Sequence, residues 1–125
     1  MNMRTTQKKG DLAKARAIQT FTSYGYDVGI LITESAAYDL LVDYNGVIKR
    51  IQAKFNGDED KCVSLRRIHS NSKGYVIKKY AENSYDWIYV LYKDGTEYLI
   101  KECLAGRSTV NVNDNFRIEK QLDKV

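Results

Sequence analysis

The run YDLLVDYNGVIKRIQAK, residues 38–54, sets the architecture of this chain. Asn45-Gly46 stands between two segments rich in β-branched and apolar residues. Asn-Gly in that position is the strongest short-range signal for a β-hairpin. The pattern predicts strands over residues 38–44 and 47–55 joined by a two-residue turn, and such a turn determines which residues face each other.

Counting outward from the turn gives the register of the hairpin. Tyr44 faces Val47, and farther from the turn Asp39 faces Gln52. Opposed residues share one face of a sheet, with their Cβ atoms about 5 Å apart. Lys54 follows Gln52 by two positions and therefore points to the same face. The spacing predicts that Asp39, Gln52 and Lys54 converge.

The opposite face of the same hairpin is apolar. It carries Leu40, Val42, Ile51 and Ala53, a set that predicts a core face. A slip of one residue in the register would exchange the two faces, and this apolar pattern argues against such a slip.

The polar face has the composition of a metal site. A carboxylate is a hard oxygen ligand that suits Mg²⁺, and the side-chain oxygen of Gln52 can act as a neutral second ligand. A divalent cation and Lys54 together can stabilise the charge of a phosphodiester transition state and orient water.

Beyond the hairpin, helical and strand patterns alternate without an internal repeat or linker. A helix is expected to begin at Gly10-Asp11, to have one apolar face formed by Leu12, Ala15, Ile18 and Phe21 or Thr22, and to end at Gly25. Further strands are predicted over residues 28–32, 62–68, 87–92 and 97–100, and residues 116–118 are expected to form an edge strand or a docked tail. The expected fold class is α+β: an N-terminal helix packed on a mixed, mostly antiparallel central sheet.

Composition narrows the choice of partner and compartment. A length of 125 residues suits one domain covering residues 1–125. The net charge of +4 and the pI of about 9.0 suit an anionic partner such as nucleic acid. Cys62 and Cys103 are far apart with no CxxC spacing, which argues against zinc. No apolar run reaches membrane-spanning length, so we expect no membrane partner and a cytoplasmic protein.

The segments Gly10-Asp11-Leu12, Tyr38-Asp39 and Ile51-Gln52-Ala53-Lys54 together resemble the core of the PD-(D/E)XK nucleases. In that superfamily a strand Asp is followed, after a hairpin, by an acid-x-Lys element, and several branches have Gln in place of the acid. The chain is most similar to the small branch of bacterial intron-encoded homing endonucleases. Archaeal-type Holliday junction resolvases share the same core.

This resemblance implies a restriction-endonuclease-like core and Mg²⁺- or Mn²⁺-dependent cleavage of double-stranded or branched DNA, of the homing or phage type. It implies that Asp39, Gln52 and the Ala53 carbonyl bind the metal and that Lys54 acts on the nucleophile or on the developing charge. Two paired sites are needed for a double-strand break, so a homodimer or homotetramer is expected. The first helix of the family usually carries Glu four residues after the Gly. Lys14 occupies that position here, with Asp11 as an accessory candidate on the same helix face.

Two further interpretations stay open beside the nuclease. One is a DNA-binding protein of the same fold whose catalysis is weakened or lost, and the other is a protein-interaction module such as a phage-encoded inhibitor. Salt dependence separates them, since phosphate contacts weaken steeply with added salt. The candidate phosphate-binding residues are all basic: Lys8, Lys9, Arg66, Arg67, Lys78 and Lys79.

Overall fold

A computed structural model provides the coordinates of this chain. It describes residues 6–33, 35–65, 67–71, 74–78, 84–104 and 106–125, and for residues 6–7, 67–71 and 74–78 it describes the backbone alone. The elements in chain order are α1 (Thr6–Ser23), β1 (Asp27–Ile30), β2 (Leu40–Tyr44), β3 (Val47–Asn56), β4 (Cys62–Ser64), β5 (Arg67–Asn71), β6 (Gly74–Lys78), β7 (Trp87–Tyr92), β8 (Glu97–Ile100), β9 (Thr109–Asn111), a 3₁₀ turn (Asp114–Phe116) and α2 (Ile118–Gln121).

A five-stranded sheet in the order β1-β2-β3-β7-β8 forms the centre. The pairs β1–β2, β2–β3 and β7–β8 are antiparallel, and β3–β7 is parallel. With α1 packed on one face, this is the predicted α+β class with a mixed, mostly antiparallel sheet, which is confirmed. Two small antiparallel sheets, β4–β9 and β5–β6, lie outside it.

The central hairpin has the predicted register. Tyr44 pairs with Val47 and, at the other end, Leu40 pairs with Ile51. Asn45 and Gly46 have φ angles of 54° and 90°, as a two-residue turn with two positive φ values requires. Because β2 begins at Leu40 while β3 continues to Asn56, the last residues of β3 have no β2 partner and leave an open edge.

Helix α1 differs from its prediction in where it begins and which face it buries. It is already helical at Thr6, where the described residues begin, because Gln7, Lys8 and Lys9 favour helix. The buried positions are Ala13, Ala17 and Phe21. Small alanines let the helix approach the sheet closely. The predicted face was right at Phe21 and wrong by one or two positions at Leu12 and Ala15.

Three residues of α1 that the sequence singled out are therefore placed differently. Leu12 is 38% exposed, and Ala15 is exposed. Asp11 lies in the second turn of the helix, where it is exposed, so it does not cap the helix.

The central sheet separates two apolar cores. The first lies between the sheet and α1 and contains the predicted set Leu40, Val42, Ile51 and Ala53. The second lies on the opposite face, where Ile88 and Val90 of β7 pack with Val63 of β4 and Val110 of β9. Side chains of β3 that point away from α1 thus belong to the second face.

Two other predicted segments are corrected by strand pairing. The strand expected over residues 62–68 is two strands, because β4 pairs with β9 whereas β5 pairs with β6. The C-terminal segment forms the short α2, whose Ile118 is buried together with Leu122, so it is mainly the docked tail of the two forms expected there. Arg117 adds a single antiparallel bridge to Tyr98 of the edge strand β8. Among the described residues, no helix has the length and apolar character needed to cross a membrane.

Candidate active site

Asp39 lies immediately before β2, at the open edge of β3. Its backbone N–H donates to the Ile51 carbonyl at 2.8 Å. Its Oδ2 accepts a hydrogen bond from the Ala53 N–H, also at 2.8 Å. The carboxylate therefore takes the place that a further β2 residue would have in the ladder, and β2 ends there without leaving that strand N–H unpaired.

Gln52 brings the predicted ligand groups together. Its side chain is buried, and its Nε2 donates to Asp39 Oδ2 at 3.0 Å and to the Ala53 carbonyl at 3.1 Å. Asp39, Gln52 and the Ala53 carbonyl, which the hairpin register and the resemblance singled out, form one hydrogen-bonded cluster.

The cluster has a donor set that fits a divalent cation. Two oxygens, Asp39 Oδ2 and the Ala53 carbonyl, converge on the positive end of one amide. Rotating the Gln52 carboxamide by half a turn exchanges Nε2 for Oε1, and three oxygens then surround the same point. Among the described residues, no group of three or more His, Cys, Asp and Glu side chains is gathered. A site here therefore depends on one carboxylate, an amide and a carbonyl.

Lys54 is the second charged residue at this edge. It is half-buried on β3, two positions beyond Gln52, and pairs with Val90 of the parallel neighbour β7. Alternation along the strand places its side chain on the face of Gln52, as predicted from the sequence. The sheet thus brings Asp39, Gln52 and Lys54 to the face opposite α1.

The orientation of α1 locates Lys14 relative to this edge. Arg16 and Thr20 both contact Glu97 of β8, at 3.6 Å and 2.5 Å. With 100° between successive residues, Lys14 lies on the other flank of the helix. Since the sheet order runs from β1 to β8, that flank faces β1 and β2.

The position of Lys14 along the direction of the strands can be inferred from a contact of Lys9 near the end of β3. The Nζ atom of Lys9 lies 3.8 Å from the point where a Cβ atom on Gly57 would stand, just past the end of β3. Five helical residues advance about 7.5 Å, which corresponds to about two residues of a strand. Lys14, which is half-buried, is therefore level with the last third of β3, on the α1 side of the sheet.

The remaining candidates are spread over the chain. Lys8 and Lys9 lie near the start of α1, and Arg67 pairs with Lys78 across β5 and β6. Arg66 and Lys79 lie outside the described residues. The contact of these residues with phosphates stays a prediction.

Sequence reasoning missed an ion pair beside the site. Arg50, two positions before Gln52, binds Asp86 through Nε–Oδ2 and Nη2–Oδ1 distances of 3.1 and 3.2 Å. The Asp86 Oδ2 atom also accepts from the Arg50 backbone N–H at 2.8 Å. Hydrogen bonding to Arg50 holds the pKa of Asp86 below its usual value. No local signal predicts this pair, because it depends on the parallel β3–β7 register across 36 residues.

The family assignment comes from a comparison with models of known protein families. A model described as PD-(D/E)XK endonuclease matches residues 4–121. The chain belongs to the PD-(D/E)XK endonuclease family. The resemblance found on the hairpin residues is thereby confirmed, and PD-(D/E)XK nucleases generally use divalent metal ions.

A solved structure shows the same fold. The bacterial homing endonuclease I-Ssp6803I has a TM-score of 0.69, is 21% identical, and is matched over 88% of this chain and 79% of its own. At that identity the likeness establishes the restriction-endonuclease-like fold. A comparison with curated proteins gives no match.

Proposed function

We propose that this PD-(D/E)XK family member is a Mg²⁺- or Mn²⁺-dependent DNA endonuclease of the homing or phage type. The observation that carries the proposal is the convergence of Asp39 Oδ2 and the Ala53 carbonyl on the Gln52 amide, at 3.0 and 3.1 Å. These atoms lie at an open strand edge, where the backbone of a nucleic acid can approach.

Each residue of the cluster has a distinct task in this proposal. Asp39 Oδ2, the Ala53 carbonyl and the rotated Gln52 amide hold the cation. When bound, the cation supplies positive charge that stabilises the phosphodiester transition state. Since only one of the three ligands is charged, we expect weak metal binding in the absence of DNA.

Lys54 acts on the substrate side. Its ammonium group shares the face of Gln52 and can hold the attacking water or the charge that develops on the phosphate. A fixed cation at that point stabilises the transition state more than the ground state, and this difference is what raises the rate.

The wider setting follows from the same proposal. The substrate is double-stranded or branched DNA, the active form is a homodimer or homotetramer that pairs two sites, and residues 1–125 act as one domain in the cytoplasm. I-Ssp6803I, which shares the fold, is a bacterial homing endonuclease, and this likeness supports the homing type for the present chain.

Lys14 supports a second candidate: a DNA-binding protein of the same fold with weakened or lost catalysis. Lys14 occupies the helix position where the family usually has Glu, and α1 turns that flank towards the β2 side of the sheet, level with the last third of β3. A protonated lysine cannot bind a cation, and it adds positive charge near the metal ligands.

Plasmid cleavage with Mg²⁺ or Mn²⁺ tests both candidates, using wild type, Lys54→Ala and Lys14→Glu. The endonuclease proposal predicts metal-dependent cutting by the wild type and its loss in Lys54→Ala. Cutting by Lys14→Glu alone would establish the weakened enzyme instead. If no variant cuts linear, supercoiled or branched DNA, the endonuclease proposal is wrong.

A further inference from the structure

Two lysines and two aromatic rings meet at the hairpin end of the sheet, on the α1 face. We name Tyr44, Lys49, Trp87 and Lys101 the lysine–aromatic patch. The Lys101 Nζ atom lies 4.7 Å from the ring centre of Tyr44 and 5.2 Å from that of Trp87. The Lys49 Nζ atom lies 5.9 Å from the Trp87 ring centre. The ammonium groups of both lysines therefore lie near the same indole ring, that of Trp87.

Ring contacts and one hydrogen bond to the backbone fix the aromatic side chains of the patch in place. Trp87 is only 4% exposed, and its ring meets that of Tyr44 edge-on at 4.9 Å. Tyr44 in turn stacks on Tyr26 at 5.4 Å, and the Tyr26 hydroxyl donates to the Asp123 carbonyl at 2.7 Å. The lysines thus rest on a preorganised base and lose little further freedom when they bind a partner.

The positive charge of the patch is not neutralised within the described part of the chain. Neither Lys49 nor Lys101 has a carboxylate within ion-pair distance there. Lys49 helps to lower the pKa of Asp86, but both carboxylate oxygens of Asp86 are already hydrogen-bonded to Arg50. Two like charges on one ring repel each other, and a cation–π contact at an exposed site is weak.

We propose that the lysine–aromatic patch binds the phosphate backbone of DNA outside the cleavage site. This inference rests on the proposed function, because it assigns a contact surface for the same substrate. A phosphate between Lys49 and Lys101 relieves their repulsion and leaves the rings to exclude water. Lys49 precedes Gln52 by three positions, about 10 Å along β3, and lies on the opposite face of the sheet, so this contact is separate from the one at the cleavage site.

The chain offers a built-in probe of this patch, because Trp87 is its single tryptophan. A duplex of random sequence and about 30 base pairs is titrated into the full chain in EDTA, so that no strand is cut. Trp87 emission and fluorescence anisotropy of labelled duplex are followed over a series of KCl concentrations. The test variant is Lys49→Met/Lys101→Met, which keeps the apolar stems over the rings. The control, Arg107→Met/Lys120→Met, removes two charges from exposed positions elsewhere.

The inference predicts a saturable change in Trp87 emission with wild type and with the control. In the test variant the affinity falls at least tenfold at low salt. The slope of log affinity against log salt shrinks by about 0.9, since the one phosphate between the two lysines contributes about 0.9. Equal affinities and slopes for the test variant and the control would overturn the inference, and so would a wild type that does not bind duplex DNA.

These outcomes are separable from those of the cleavage proposal. A wild type that binds through the patch but never cuts keeps this inference and removes the endonuclease. A wild type that cuts, with a test variant that binds and cuts as the control does, keeps the endonuclease and removes the patch.

Discussion

Two carboxylates of this chain, Glu97 and Asp39, have opposite settings on the same sheet. The Glu97 Oε2 atom accepts hydrogen bonds from the hydroxyls of Thr20 and Tyr89, both at 2.5 Å, and Arg16 lies 3.6 Å from Oε1. Its side chain is 11% exposed. Asp39 accepts from a strand N–H and a side-chain amide at an open sheet edge, and it is half-buried.

The difference distinguishes an anchoring carboxylate from one that can bind a ligand. The donors around Glu97 come from α1 and from the sheet, and together they hold the helix in place. Burial and hydrogen bonding to Glu97 raise the pKa of Tyr89, so its hydroxyl stays protonated and donates. The amide that faces Asp39 can rotate and present its oxygen instead, which leaves this carboxylate able to exchange a protein donor for a cation.

The largest expected effect is on catalysis at Asp39. Asp39→Asn removes the single charged metal ligand, so we expect cleavage to fall by about 10³-fold, or about 4 kcal/mol in the activation barrier. The variant should fold normally, because an Asn oxygen still accepts from the Ala53 N–H. Plasmid cleavage and urea unfolding measure the two quantities. A variant that cuts as wild type does would remove Asp39 from the site.

Glu97→Ala tests the other carboxylate and should affect stability instead. It leaves two hydroxyl donors without their acceptor in the interior, so we expect a loss of about 3 kcal/mol in the free energy of unfolding. Glu102→Ala, at an exposed position, is the matched control and should lose less than about 0.5 kcal/mol. Similar unfolding curves for the two variants would show that Glu97 does not anchor α1.

Lys14→Glu tests whether the charge at this position of α1 affects metal binding at Asp39. A second carboxylate near the metal ligands should tighten Mn²⁺ binding and raise cleavage by about tenfold, or about 1.4 kcal/mol. Lys120→Glu makes the same charge change on α2 and should leave both unchanged. If both variants respond alike, the gain reflects net charge and not the position of Lys14.

The smallest effect concerns the Arg50–Asp86 pair beside the site. Asp86 has a lowered pKa in the folded chain because it is hydrogen-bonded to Arg50. Its contribution is therefore complete above the unfolded pKa, about 3.9, and is lost as the pH falls through the folded value. Asp86→Asn should cost about 1 kcal/mol at pH 7. Urea unfolding at a series of pH values should show this difference shrinking towards zero in acid, and a constant difference would contradict the assignment.

How far the sequence predicts these features depends on the chain separation of the partners. Asp39 and Gln52 are 13 residues apart and joined by a two-residue turn, so counting from Asn45-Gly46 was sufficient to bring them together. Glu97 and Thr20 are 77 residues apart. No turn determines their approach, and the anchor could not be predicted.

The face of α1 shows a second limit. Leu12, Ala15 and Ile18 recur at a spacing of three, and Ala13, Ala17 and Phe21 at a spacing of four. Both spacings are typical of a helix, and the choice is made by how closely the helix packs on the sheet. The register between β3 and the parallel β7 could not be predicted for a similar reason, because no short turn joins these two strands. The class of fold and the cluster at Asp39 follow from local patterns, whereas the Arg50–Asp86 pair requires the assembled sheet.

The most direct measurement is a crystal structure of this chain soaked in Mn²⁺, with anomalous difference density collected near the manganese edge. We predict a peak in contact with Asp39 Oδ2, the Ala53 carbonyl and the side-chain oxygen of a rotated Gln52. A peak elsewhere, for instance among the acidic residues 58–60, with the Gln52 amide still donating to Asp39, would contradict it.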